Sequence, residues 1–303
     1  MNGRRNVSVK KHGIPFELYD AFAARRFAGN VAGVVISEAA IAPSLMQDIA
    51  SELGAPTTGF AQAGAGRPVS IRFFTPRQEI EACGHVTVAV ATALVRRGIW
   101  PAGNGQAEAI TPAGPLPVFL RAPAARSSPA TLAGLAYQPR PLGREGVARE
   151  DVEAALAVPA GPGLPIEAVW TGLRHLIVPV GSQQALARIA PSEAAVTALA
   201  ASCGADTVCV FAVARNHRVR MRDFCAPIGA LEEPASGTTS AALAGYLTWY
   251  GAAPTPAPLV IEQGAEMGRP SRIEVDTRTQ RGQTVATVWG SALRTASGTV
   301  FPA

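Results

Sequence analysis

The chain has 303 residues, carries a net charge of +5 and has a sequence pI of about 9.4. Apolar residues make up 48% of it and charged residues 16%, which predicts a folded protein with a substantial core and excludes wholesale disorder. No apolar run reaches the roughly 18 residues of a membrane span, and the basic residues are too scattered for a nucleic-acid surface. We therefore expect no membrane and no nucleic-acid partner, and a weak preference for small anions.

The chain begins with MNGRRNVSVKKHG (1–13), which is basic and lacks the apolar core of a secretion signal, so we interpret it as a flexible tail. The four cysteines lack the C-x-x-C spacing of a metal site, and without a secretion signal we expect reduced thiols, no metal and a cytoplasmic protein. Most cysteines and histidines are interpreted as structural or surface residues: Cys203, Cys209, Cys225, His12, His175 and His217.

Two later stretches of the chain align with each other: GAPTTGFAQAGAGRPVSIRFFTP, which starts at Gly54, and GADTVCVFAVARNHRVRMRDFCAP, which starts at Gly204. Self-similarity over such a length predicts a duplicated domain rather than a short-period repeat. Identical residues lie 150 positions apart in the two stretches: Gly54 and Gly204, Arg72 and Arg222, and Phe74 and Phe224.

Each stretch contains the alternating pattern of a half-buried strand, VSIRFF in the first and RVRMRDF in the second. An Ala-rich segment follows each strand, and a helix that is apolar nearly all round is expected inside a core. The predicted fold class is α+β, with two pseudo-symmetric halves that each wrap a β-barrel-like sheet around a central apolar helix. We expect the N-terminal half at 14–133 and the C-terminal half at 134–303, with the crossover in the Pro- and Ala-rich stretch 101–148.

Cys83, Gly84 and His85 stand at the start of the first apolar helix. The first backbone N–H groups of a helix have no partner within it, and they form an anion site that the helix dipole strengthens. A thiolate is stabilised there, so the pKa of Cys83 is expected to fall below about 8.5, and His85 can transfer protons near neutral pH. The sequence leaves open an alternative, in which Cys83 is buried as a small apolar side chain.

The second apolar helix begins within EEPASGTTSAALAGYL (232–247). Pro234 interrupts the chain, Ser236 or Thr238 can cap the helix, and Gly237 lets a ligand approach the backbone closely. Glu233 stands just ahead of this second anion site. The alternative is an ordinary N-terminal cap beside a solvated acidic pair.

Two helix N-termini from duplicated halves can face each other and hold one small anion, above all a carboxylate. Cys83 and His85 would then approach the ligand from one half and Glu233 from the other. This is the geometry of proton abstraction and return, without a cofactor, at a carbon next to a carboxylate. The helix dipoles would stabilise the charge that develops on the substrate.

Five motifs follow one another along the chain: DAFAARRFAGNVAGVV (20–35), FFTPRQEIEACGHVTVA (73–89), GLPIEAVWTG (163–172), CAPIGALEEPASGTTSAALAGYL (225–247) and EQGAEMGRPSRIEV (262–275). With them the chain, from about Phe16 to about Leu293, resembles the PhzF-like isomerases of phenazine biosynthesis, within the diaminopimelate-epimerase and proline-racemase fold. The resemblance implies two barrel-like halves around central helices, an active site in the cleft between them, no metal or organic cofactor, and a homodimer.

The chain departs from the family pattern at several site positions. The family's catalytic Glu falls on Thr57, which has no carboxylate, and its acidic residue before Pro is Glu233 where Asp is usual. The small polar residue after the Gly is Thr238. Cys83 matches the first cysteine position of the racemases, but their second cysteine position falls on Ser236, so a two-thiol racemase is not supported.

We expect a cofactor-independent isomerase that moves a proton, and with it a double bond, in a small and cyclic carboxylate of secondary-metabolite or antibiotic biosynthesis. The alternative, motivated by Thr57, is a catalytically silent protein on the same scaffold that binds a small acid or a partner enzyme. The predicted catalytic residues are Cys83, His85 and Glu233. The predicted substrate-binding residues are Asn30, Thr57, Gly84, Ser236, Gly237 and Thr238, and for Asn30 a purely structural role in a turn stays open.

Overall fold

A computed structural model of the protein describes residues 13–64, 67–122, 131–143, 147–213, 218–253 and 258–302. Residues 1–12 of the predicted tail lie outside these ranges, and so do His12 and His217. In the described part of the chain, no helix is both long enough and apolar enough to cross a membrane.

The first half of the chain contains eight strands and two helices within the described ranges. They are β1 (Ile14–Ala21), β2 (Asn30–Ser37), α1 (Pro43–Leu53), β3 (Thr57–Gln62), β4 (Val69–Phe74), β5 (Glu79–Ile80), α2 (Gly84–Arg96), β6 (Gly105–Thr111), β7 (Gly114–Arg121) and β8 (Leu132–Tyr137).

Within the described ranges, the second half repeats this order with two additional strands, two additional helices and a 3-10 turn at Ala226–Ile228. Its elements are β9 (Arg140–Gly143), α3 (Arg149–Leu156), β10 (Glu167–Trp170), β11 (Arg174–Pro179), α4 (Gln183–Arg188), α5 (Glu193–Cys203), β12 (Thr207–Val213), β13 (Arg218–Cys225), β14 (Ala230–Glu233), α6 (Gly237–Trp249), β15 (Leu259–Gln263), β16 (Ser271–Gln280), β17 (Gln283–Gly290) and β18 (Ala292–Val300).

The strands of the two halves pair in the same pattern. The first half has the order β1-β2-β3-β4-β6-β7-β8, in which β2–β3 and β4–β6 are parallel pairs. The second has the order β10-β11-β12-β13-β15-β16-β17, in which β11–β12 and β13–β15 are parallel. Antiparallel pairing of β8 with β17 joins the halves, and β18 returns to pair with β1. The expected boundary at 133/134 thus falls inside β8.

The aligned residues of the two halves occupy equivalent positions. Phe74 lies opposite Thr58 in the β3–β4 pair, and Phe224 lies opposite Val208 in the β12–β13 pair. Each of these four residues is 150 positions from its counterpart. The two pairs of strands therefore share one register, as the duplication predicts.

The aligned glycines end equivalent helices. Gly54 follows α1 and Gly204 follows α5, and each has a φ of 62°. Glycine adopts this left-handed conformation without the strain that a Cβ would cause. The repeated glycine is therefore explained by the repeated helix end.

Each half surrounds one apolar helix with strands. In α2 all nine residues of Val86–Leu94 are buried, and in α6 all nine of Thr239–Leu247 are buried. Helix α2 packs against β1, β2, β3, β8 and β18, whereas α6 packs against β9, β10, β11, β16 and β17. The predicted α+β class, with two similar halves around central helices, is confirmed.

Candidate active site

The two central helices begin side by side. Cys83 is the N-cap of α2 and Ser236 is the N-cap of α6. A Cβ atom built on Gly84 would lie 3.0 Å from the Tyr137 hydroxyl, and one built on Gly237 would lie 3.7 Å from it. Tyr137, the last residue of β8, therefore places its hydroxyl beside the first turns of both helices.

On the side of the first half, Cys83 and His85 lie against each other. The Cys83 Sγ is 3.4 Å from the His85 Nδ1, and both side chains are half-buried. Thr57, the buried first residue of β3, lies beside this pair, and its hydroxyl favours the thiolate form of Cys83. The structure thus brings these three predicted site residues together.

The protonation state of Cys83 differs from the sequence-based expectation. Burial raises the pKa of the Cys83 thiol to about 12, although the backbone N–H groups of Val86 and His85 and the Thr57 hydroxyl favour the thiolate. The expected lowering of this pKa by the helix end is therefore wrong, because desolvation of the charged form outweighs the donors. Cys83 is a protonated thiol at neutral pH.

On the side of the second half, Glu233 is held by residues of both halves. The buried Asn30 donates through Nδ2 to Glu233 Oε2 at 2.6 Å and to the Ala235 carbonyl at 3.0 Å. Gln263 donates from Nε2 to the Glu233 carbonyl at 2.7 Å and accepts from the Ser236 N–H at 3.0 Å. Asn30 stands at the start of β2, so its contact with Glu233 crosses between the halves.

Burial also shifts the pKa values of Glu233 and His85. It raises the pKa of Glu233 above the usual 4.5, although His85 and the Asn30 hydrogen bond both lower it. Burial lowers the pKa of His85, and the nearby Glu233 only partly opposes this. Each of the two side chains, one from each half, therefore acts on the charge of the other. At neutral pH His85 is an uncharged imidazole that can accept or pass on a proton.

The N-terminus of α6 is capped by a cluster of hydroxyls. The half-buried Ser236 accepts from the Thr239 N–H at 3.3 Å, and its Oγ lies 3.3 Å from the Thr238 Oγ1. The Thr239 Oγ1 is closer to it, at 2.8 Å. The second helix end is therefore formed by three predicted binding residues, Ser236, Gly237 and Thr238.

Sequence reasoning missed two residues that lie at the site, Tyr137 and Asp223. Asp223 is buried on β13 directly opposite Glu233 on β14. The sequence contains one signal for Asp223. In the 150-residue alignment, Asp223 is the counterpart of the apolar Phe73 of the first half. A carboxylate in a half-buried strand, where the other half has an aromatic ring, is a departure from the repeat. Nothing in the sequence around Tyr137 distinguishes it.

The other cysteines and His175 lie away from the cleft surface. All four cysteines are free thiols, and only Cys83 is half-buried, whereas Cys203, Cys209 and Cys225 are buried. His175 is fully buried between the Thr171 and Thr207 hydroxyls, at 2.8 Å from each. Within the described residues, no cluster of three or more His, Cys, Asp or Glu side chains could hold a metal ion.

Comparison with known sequences identifies related proteins over most of the chain. The family model described as "Phenazine biosynthesis-like protein" matches residues 19–298. An uncharacterized isomerase of Deinococcus radiodurans is 33% identical over 86% of this chain and 85% of its own length. The trans-2,3-dihydro-3-hydroxyanthranilate isomerase of Pseudomonas fluorescens is 29% identical over 84% of this chain and 87% of its own.

Solved structures share the fold. The PhzF-family phenazine biosynthesis protein of Bacillus anthracis superposes with a TM-score of 0.82 at 24% identity, over 95% of this chain and 98% of its own. A hydroxyproline epimerase from Agrobacterium vitis, solved with bound trans-4-hydroxy-L-proline, superposes with a TM-score of 0.65 at 13% identity, over 96% and 93% of the two chains. The fold is therefore the diaminopimelate-epimerase-like fold that the resemblance implied.

Proposed function

The chain is an isomerase of the phenazine biosynthesis-like protein family, and on that premise we propose that it moves a proton, and with it a double bond, in a small cyclic carboxylate without a metal or organic cofactor. The observation that carries the proposal is the meeting of proton-carrying side chains from both halves. Cys83 and His85 lie at the start of α2, and Glu233 lies ahead of α6.

The substrate carboxylate is held between the first turns of α2 and α6. The first backbone N–H groups of a helix have no partner within the helix, and the positive ends of the two helix dipoles favour a negative charge between them. The Tyr137 hydroxyl lies beside both turns and can donate to the same carboxylate. A Cβ at Gly237 would make only ordinary contacts, the nearest at 3.6 Å from Phe22, so the fold itself tolerates an alanine there. The glycine keeps the space for the ligand.

Glu233 is the base that removes the proton from the substrate carbon. Its pKa is raised by burial, which strengthens it as a proton acceptor, and Asn30 orients the carboxylate through a 2.6 Å hydrogen bond. The helix ends stabilise the negative charge that develops while the proton is on Glu233.

Cys83 returns a proton to the second carbon. Its thiol is protonated at neutral pH, and His85 lies 3.4 Å from the sulfur, where it can restore the proton. Thr57 takes no proton in this scheme. It occupies the position of the family's carboxylate and hydrogen-bonds to the thiol.

The substrate class follows from the relatives together with the site. The Pseudomonas fluorescens relative is named for trans-2,3-dihydro-3-hydroxyanthranilate, which carries a carboxylate on a ring. We infer a related cyclic acid of secondary-metabolite or antibiotic biosynthesis as the substrate here. Assembly as a homodimer in the cytoplasm is part of the proposal, which rests on the resemblance and on four thiols that suit a reducing compartment.

Proton exchange tests the proposal. The protein is incubated with trans-2,3-dihydro-3-hydroxyanthranilate in D2O, and deuterium at the ring carbons is followed by NMR. We expect incorporation by the wild type, a loss of about 10²-fold or more in Glu233→Gln or His85→Ala, and most of the turnover retained in Thr57→Ala. Glu108→Gln, at an exposed position on β6, is the matched control.

Two outcomes count against the proposal in different ways. A collapse in Thr57→Ala with little effect in Glu233→Gln would overturn the roles of these residues. Binding of the acid without any deuterium exchange would favour the silent binding protein that the missing carboxylate at Thr57 suggested.

A further inference from the structure

A buried carboxyl stands behind the hydroxyl cluster of α6. Asp223 is 1% exposed and Thr239 is fully buried, whereas Ser236 is half-buried at the cleft. The Thr239 Oγ1 lies 2.7 Å from the Asp223 Oδ2 and 2.8 Å from the Ser236 Oγ. These three side chains therefore form a continuous chain of short hydrogen bonds from the core to the cleft.

The direction of these hydrogen bonds is set by the charge on Asp223. An ionised carboxylate only accepts hydrogen bonds, so the Thr239 hydroxyl donates to it. The Thr239 oxygen must then accept from the Ser236 hydroxyl, while the Thr239 N–H donates to the Ser236 oxygen. With Asp223 ionised, Ser236 turns its hydrogen inward and presents a lone pair to the cleft.

His175 does not compete as the donor to Thr239. The His175 Nδ1 lies 2.8 Å from the Thr207 Oγ1 and 3.3 Å from the Thr239 Oγ1. When this nitrogen carries the ring proton it donates to the closer Thr207 hydroxyl, and when it does not it has none to donate. Ser236 is left as the donor.

Protonation of Asp223 reverses the chain. The carboxyl O–H donates to Thr239, Thr239 donates to Ser236, and the Ser236 hydrogen is free to point into the cleft. The same hydroxyl then offers a hydrogen bond to a bound carboxylate instead of a lone pair that repels it.

The surroundings of Asp223 make both charge states accessible. Burial raises its pKa to about 6, while the hydroxyls of Thr239, Thr207 and Ser236 oppose the rise. Burial holds the pKa of His175 at about 3, so this ring adds no positive charge. In the described part of the chain, the titratable groups that face or act on Asp223 are Cys209 on β12, His175 on β11, Glu232 and Glu233 on β14, and Cys225 on β13.

We propose that Asp223, Thr239 and Ser236 form a proton wire that couples the charge of the buried carboxyl to the hydrogen-bonding direction of Ser236, so that a carboxylate ligand enters the cleft together with one proton. The inference rests on the carboxylate site of the proposed function. Asp223 and Thr239 are positioning residues, since they act on the ligand only through Ser236.

The proton reaches the core without leaving a charge on the wire. A solvent proton bonds to the Ser236 oxygen as its original hydrogen passes to the Thr239 oxygen. The Thr239 hydrogen then passes to the Asp223 Oδ2. Each hydroxyl loses one hydrogen and gains one, and the carboxylate alone gains a proton.

Calorimetry with 3-hydroxyanthranilate, an aromatic acid similar to the relative's substrate, tests the wire. Proton uptake is obtained from binding in buffers of different ionisation enthalpy. We expect uptake of about one proton by the wild type at pH 7.5, with affinity falling by up to about tenfold for each pH unit above 6. The same measurements on the Glu233→Gln variant exclude proton uptake by Glu233 itself.

Four variants separate the wire from a general loss of packing. Asp223→Asn should bind at pH 7.5 as the wild type does at low pH, because the amide N–H donates to Thr239 permanently. Thr239→Val, which lacks the hydroxyl at nearly equal volume, should lose the pH dependence, and Thr239→Ser should restore it. Thr92→Val removes a buried hydroxyl that donates to the Val88 carbonyl of its own helix, and should retain the pH dependence.

The outcomes distinguish failure of the proton wire from failure of the proposed carboxylate site. Equal pH dependence and proton uptake in the wild type, Asp223→Asn and Thr239→Val would overturn the wire while leaving the carboxylate site intact. Failure of the acid to bind at pH 5 and at pH 7.5 would overturn the carboxylate site and the wire together.

Discussion

Burial sets the protonation state of the side chains at the candidate active site. The Cys83 thiol lies at a helix N-terminus, an environment that normally favours the thiolate, yet its pKa rises to about 12 because the charged form loses its water. The same desolvation raises the pKa of Glu233 and lowers that of His85. A protonated thiol of the first half thus lies near a carboxyl group of the second, and the proposed function uses the first to give a proton and the second to take one.

Alkylation with iodoacetamide tests the protonation state of the Cys83 thiol. We expect slow modification at pH 7 and a rate that rises about tenfold for each pH unit up to pH 10, because only the thiolate reacts and its pKa is near 12. Cys83 should still react before the other three cysteines, which are buried. Mass spectrometry of tryptic peptides locates the modification, and Cys83→Ser is the control. Rapid modification at pH 7 would contradict the raised pKa.

The first turns of α2 and α6 are equivalent elements, but their N-cap side chains differ. Thr87 in one and Ser240 in the other donate to the N-cap carbonyl, at 2.8 Å and 2.7 Å. The N-caps themselves differ, because Ser236 accepts a backbone hydrogen bond and Cys83 makes no such cap. One helix end therefore presents a thiol and the other a hydroxyl to the same space.

A larger residue at the start of α6 should remove the ligand without unfolding the helix. A Cβ at Gly237 has room, with its three nearest contacts at 3.6 to 3.7 Å, so Gly237→Ala should weaken binding of 3-hydroxyanthranilate and Gly237→Val should abolish it. The branched side chain would fill the space beside the Tyr137 hydroxyl. Calorimetry measures the affinity, and thermal unfolding checks that the fold is retained. Wild-type affinity in Gly237→Val would place the ligand elsewhere.

The elements that repeat were readable from the sequence, and the contacts between them were not. The alignment paired Gly54 with Gly204, and in the structure both end a helix with a positive φ that favours glycine. The contact of Asn30 with Glu233 joins residues about 200 positions apart, and no local pattern encodes it. The position of Tyr137 between two helices likewise depends on the pairing of β8 with β17.

At the scale of the whole molecule, each half contributes different side chains to the candidate active site. The first half provides Cys83, His85 and Asn30, and the second provides Glu233 with Asp223 behind it. Their equivalents across the duplication are not the same residues, since Phe73 stands where the second half has Asp223. The repeated fold therefore builds two helix ends of one kind, while divergence between the halves gives the cleft different groups on its two sides.

The position of a bound carboxylate tests this account most directly. A crystal structure of the complex with 3-hydroxyanthranilate should show the carboxylate between the first turns of α2 and α6, about 3 Å from the backbone N–H groups near Gly84–His85 and Gly237–Thr238. Cys83 and Glu233 should lie on either side of the ring. A carboxylate held by arginine side chains, or by one half of the molecule alone, would contradict the account.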